Sequence, residues 1–109
     1  MVTVTVFQEQ GSVVGFRLSG HADHGAYGED IVCAGISAIT ETALLGITDV
    51  LKLDAAIARE SGHVRCELSR ETPPEEREKA AIVFNTMIAG FKSIQQAYPK
   101  SLKFSYREV

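Results

Sequence analysis

The chain opens on strict alternation. Val2, Val4 and Val6 interleave with Thr3, Thr5 and Phe7, the two-residue period of a strand. Glu9, Gln10 and Gly11 read as a turn. Val14, Phe16 and Leu18 then share one face of a second strand, so the pattern predicts an N-terminal hairpin. Residues 20–30, GHADHGAYGED, hold three glycines and no aliphatic residue larger than alanine. Such a stretch is a loop. From Ile31 to about Leu51 the chain is apolar almost all round, and its length favours helix over strand. Gly35 and Gly46 lower its intrinsic helicity, so packing must hold it. The run is long enough to span a bilayer, but Glu41 near its middle argues against that, because a lone carboxylate there is costly. The expectation is a helix buried on most sides, with Glu41 on the face that meets water.

A second hairpin is predicted over 55–60 and 63–69, around Ser61-Gly62. It places Val64, Cys66 and Leu68 on one face and His63, Arg65 and Glu67 on the other. Thr72, Pro73 and Glu75 have the spacing of an N-cap, a first-turn proline and a capping box. Ala80, Phe84, Met87, Ile88, Phe91 and Ile94 then recur at helical spacing until Tyr98-Pro99. Leu102, Phe104 and Tyr106 predict a last strand. The order is ββαββαβ. It implies an α+β fold, a single domain over residues 1–109, with two helices packed on a mostly antiparallel sheet.

Composition narrows the function. A chain of 109 residues with 45% apolar content supports one thin core and gains by burying more surface in an oligomer. The apolar helix is the surface expected to be shared in a homodimer. Net charge is −3, from 14 acidic and 11 basic residues, and no basic stripe runs along the chain. Direct binding of nucleic acid therefore has little support. The opening MVTVTVF lacks the basic start and apolar run of an export signal. Two cysteines, Cys33 and Cys66, make no disulfide framework. A cytoplasmic protein with reduced thiols is expected, with no membrane partner.

The chemistry concentrates in Gly20–Ser37. With Asp30 as N-cap, Cys33 becomes the third residue of the long helix, where unpaired N–H groups favour an anion. His21 opens the loop that leads into that helix, and a closing loop brings imidazole to thiol, the usual way a cysteine nucleophile is activated. Gly20, Gly25 and Gly28 let the backbone approach a substrate or let the loop open and close. A helix terminus contributes only ~0.3–1 kcal/mol to a nearby anion. A free thiol titrates near ~8.5, and an adjacent imidazolium lowers that by several units. His21 must therefore do most of the activation.

Each residue also has a plainer reading. A lone cysteine in an apolar helix is commonly core; His21 can simply end a strand; Asp30 can be only a cap. Ser37, one turn after Cys33, either supports the site by a hydrogen bond or bonds back to its own helix. His24 is a rival base. Cys66 alternates with Val64 and Leu68 and reads as structural. His21, His24 and Cys33, with Asp23 or Asp30, offer an alternative zinc set, but no paired CxxC supports it. The loop also lacks the spacing of a phosphate-binding loop. Neither metal nor cofactor is expected.

The stretch GHADHGAYGEDIVCAGISA resembles the signature of the ribosomal-processing cysteine protease family. There a Gly-His pair precedes a glycine-containing loop, and Asp-Ile-Val-Cys opens the next helix. The matching residues are Gly20, His21, Gly28, Asp30, Ile31, Val32, Cys33 and Ser37. Chain length and element order match as well. The resemblance implies that Cys33 is the nucleophile and His21 the base, with Asp30 and Ser37 as candidate supporting residues. It also implies a homodimer that cleaves a short N-terminal extension from large-subunit ribosomal protein twenty-seven. Against it stand a non-catalytic ribosome-associated interaction module and the small zinc protein.

Overall fold

The computed structural model describes residues 1–20 and 29–109, and of Glu29 and Asp30 the backbone alone. Strands β1 (Val2–Glu9) and β2 (Ser12–Ser19) pair antiparallel. Between them Gln10 and Gly11 both take positive φ, 51° and 80°. That is the type I′ signature of a two-residue hairpin turn, so Glu9 stays in the strand. The register shifts between Phe7 and Gln8, which sets Gln8 opposite Val13. This bulge corrects the expected face of β2. Val13, not Val14, joins Phe16 and Leu18 in the main core, because the extra residue reverses the alternation.

Strands β3 (Ala55–Glu60), β4 (His63–Leu68) and β5 (Leu102–Glu108) complete a five-stranded sheet of order β3-β4-β2-β1-β5. The β1–β5 pairing is parallel and the other three are antiparallel. Helices α1 (Glu29–Leu45) and α2 (Pro74–Ala97) join one core with the sheet face that carries Val4, Val6, Phe16, Leu18, Cys66 and Leu68. Phe16 meets Phe84 edge to face, with ring centroids 5.9 Å apart, a favourable aromatic geometry. The expected order, the two helices and the mostly antiparallel sheet are all present.

Three local expectations change. First, α1 ends at Leu45 and a π-helical turn follows over Gly46–Val50, where the Leu51 N–H donates to Gly46 O at 2.9 Å. A Cβ on Gly46 would lie 3.0 Å from Val83 Cγ1. The glycine therefore lets α1 and α2 approach closely, and this packing compensates its poor helicity. Second, the helical run is not buried on most sides. Val32, Ile36, Ala43, Leu44 and Ile47 face the core, whereas Ile31, Leu45 and Val50 are 65%, 51% and 76% exposed. Residues Ile31–Val50 are long and apolar enough to cross a membrane, but here they pack as one layer of a domain. Third, Thr72 does not cap α2. Pro73 precedes another proline, which forces it into extended backbone, with φ −61° and ψ 152°. The helix therefore starts at Pro74, one residue later than expected. The Thr72 hydroxyl donates instead to Ser69 O at 2.6 Å. Arg77 fastens this end, donating to Glu9, to Thr72 O and to Arg70 O. Its guanidinium, by hydrogen bond and then by charge, holds the Glu9 carboxyl below the usual carboxylate range.

Candidate active site

Helix α1 begins at Glu29. Cys33 is thus its fifth residue rather than its third, and its own N–H lies where the i→i−4 ladder begins. This reduces the share of any anion stabilisation that the helix end supplies and leaves more to a neighbouring charge. Val32 points into the core, and this fixes the rotation of the helix. Cys33 then sits at the margin of the buried stripe, partly exposed. Ser37 and Glu41 follow at intervals of four residues, one above the other along the same edge.

That edge forms one wall of a cleft of about 260 Å³. Cys33, Ile36, Ser37, Thr40 and Glu41 come from α1; Gly20 and Leu18 come from the end of β2; Val2 comes from β1. The opposite side is the tip of the β3–β4 hairpin, with Glu60, Gly62, His63 and Val64. Backbone geometry holds the mouth. Gly20 takes φ +95°, a Cβ there would lie 2.6 Å from Met1 O, and its N–H donates to Gly62 O at 3.0 Å. Only glycine suits this close approach of three segments. Thr40 turns its hydroxyl back to Ile36 O at 2.7 Å and is buried. Ser37 is exposed at the cleft.

Gly20, Cys33 and Ser37 are therefore brought together. His21 follows Gly20 directly in the sequence, but His21, Asp23, His24, Gly25 and Gly28 lie outside the described residues, as does the side chain of Asp30. The zinc alternative rests mainly on those same residues. Among the described residues no group of three His, Cys, Asp or Glu side chains is arranged to hold a metal.

Cys66 separates cleanly from Cys33. It is fully buried in the sheet core, and burial pushes its thiol up to about 12, with Arg59 opposing the effect only in part. A thiol held protonated in this way is inert as a nucleophile. The hairpin tip is the part of the site that sequence reasoning missed. Its only trace was the Ser61-Gly62 turn, which says that a hairpin forms but not which helix it faces.

Comparison with known proteins places the chain in a family. Residues 1–103 match the family described as cysteine protease Prp. The ribosomal processing cysteine protease Prp of Staphylococcus aureus is 32% identical, over 98% of this chain and 100% of its own. The Bacillus subtilis protein of the same name is 27% identical, over 84% and 83%. A crystal structure of the essential S. aureus protease, in complex with a covalently linked product peptide, superposes with a TM-score of 0.82 at 28% identity. It covers 98% of this chain and 100% of that one. The chain belongs to the Prp family of cysteine proteases.

Proposed function

We propose that this protease removes a short N-terminal extension from large-subunit ribosomal protein twenty-seven, at one defined bond, as a step in ribosome assembly. The observation that carries the reading is the cleft itself: a partly exposed cysteine on a rigid helix faces Gly20, the residue that precedes His21. In the proposed reaction His21 takes the thiol proton and the Cys33 sulfur attacks the scissile carbonyl carbon. Collapse of the tetrahedral intermediate breaks the C–N bond, and the proton passes from His21 to the leaving amine. The remaining acyl-enzyme is hydrolysed by water, with His21 again as base. The S. aureus relative holds its product peptide covalently, which is the kind of adduct that nucleophilic catalysis forms. The ribosomal processing in the names of the two relatives and the match along nearly the whole chain support the substrate class. A flexible tail suits a narrow cleft, because an extended peptide enters where a folded one does not. Asp30 and Ser37 are supporting residues in this reading, and Gly20, Gly25 and Gly28 belong to the substrate loop. Its direct test is the intact mass of that ribosomal protein before and after exposure to the enzyme.

The protease works as a cytoplasmic homodimer in this account. An apolar groove of about 670 Å³ runs between the outer faces of α1 and α2, where Ile39, Leu45, Val50, Ile82 and Met87 meet. Ile82 is 68% exposed, so this surface gains by pairing with a second copy. Sedimentation at micromolar concentration is expected to give a dimer, and Ile82→Glu is expected to give a folded monomer. A wild-type monomer at that concentration refutes the assembly.

A further inference from the structure

The last α1 residue to line the cleft is Glu41, and it is tied across the gap to β3. Arg59 donates from Nε to Glu41 Oε2 at 3.2 Å and from Nη2 to Oε1 at 2.9 Å. The β3–β4 register sets Arg59 opposite Val64, so it rises from the helix side of the sheet. The forked geometry fixes both side chains. They remain 53% and 48% exposed, and two of the five guanidinium N–H donors are used. The pair therefore keeps donors and acceptors open to solvent, with Glu41 in the cleft wall and Arg59 bound to it from beside the lining residue Glu60.

Distance gives this pair a role. Glu41 lies eight residues beyond Cys33 on the helix, about 12 Å along its axis at ~1.5 Å per residue. An extended peptide advances ~3.3 Å per residue, so three to four residues cover that span. We propose that Glu41 and Arg59 anchor the main chain of the substrate three to four residues from the scissile bond. The anchor rests on the peptide-cleaving reading above and extends it. The carboxylate accepts from a peptide N–H, and the guanidinium donates to a peptide C=O. Every residue but proline offers both groups, and the pair is neutral overall. The site therefore selects an extended, unfolded segment rather than a charged side chain. Such contacts are equal in ground and transition states, so they act on KM and leave kcat in place.

The experiment uses a long peptide that spans the cleaved bond of the ribosomal tail, with six residues on each side. Two shorter versions are trimmed to two residues on one side or the other. Arg59→Gln and Glu41→Gln are each expected to raise KM about five- to tenfold on the long peptide, the loss expected for charge-assisted hydrogen bonds at a half-exposed site, with kcat within about twofold. On one of the two trimmed peptides wild type and variants become equal, which also identifies the anchored side. An unchanged KM on the long peptide overturns the anchor. So does a rise that persists on both trimmed peptides, because that marks a distorted cleft. Cleavage of the long peptide by wild type is the separate check on the peptidase reading itself.

Discussion

Cys33→Ala and Cys33→Ser are each expected to abolish cleavage while leaving the fold intact. The loss expected is on the order of a thousandfold or more, as for removal of a nucleophile from a coupled pair. The serine variant keeps shape and hydrogen-bonding capacity, but a hydroxyl ionises far less readily than a thiol, and a base that suffices for sulfur leaves it a poor nucleophile. The fold is expected to survive because Cys33 lies at the margin of the α1 buried stripe, where Val32 and Ile36 carry the packing. Thermal unfolding of either variant should stay close to wild type, as is usual for small substitutions away from the core. Alkylation by iodoacetamide gives a parallel check. Cys33 is expected to react at neutral pH, whereas Cys66 is shielded by burial, which pushes its thiol up to about 12. Residual activity of Cys33→Ser within tenfold of wild type removes Cys33 from the mechanism.

The second large effect is at the base. His21→Ala is expected to lose about 10²–10⁴-fold in kcat/KM, the usual contribution of a positioned proton acceptor, and His24→Ala to lose little. The reason is the place of Gly20. It lines the same cleft as Cys33 and is pinned by its N–H to Gly62 O, and His21 is the next residue in the sequence. His24 is three residues further along a glycine-rich stretch. Kinetics of the two alanine variants on one peptide settle the assignment. A dead His24 variant beside an active His21 variant reverses it.

The fold was legible where pattern and physics point the same way. Alternation located the strands because one side of each packs into the core, and the stripe Ala80, Phe84, Met87, Ile88 and Phe91 is the buried face of α2. The reading failed where a single local term outweighed the pattern. At Pro73-Pro74 the steric demand of the second proline moved the helix start past the apparent capping box. At Phe7 and Gln8 a register shift exchanged the roles of Val13 and Val14, and nothing in the alternation announces a bulge. At Gly46 the approach of Val83 depends on a helix some forty residues away in sequence. The site divides in the same way. The i, i+4, i+8 line of Cys33, Ser37 and Glu41 is readable from helical geometry, whereas His21 lies outside the described residues. The opposing hairpin tip and the reach of Arg59 to Glu41 are tertiary facts, set by sheet order β3-β4-β2-β1-β5.

The account meets its most direct test in one mass measurement. Full-length large-subunit ribosomal protein twenty-seven from the same organism is incubated with the wild-type protease and, in parallel, with the Cys33→Ala variant. The expected result is a single lighter species with wild type, shortened only at its N-terminus, and an unchanged mass with the variant. An uncut protein, cuts at several bonds, or the same truncation in both samples contradicts the account.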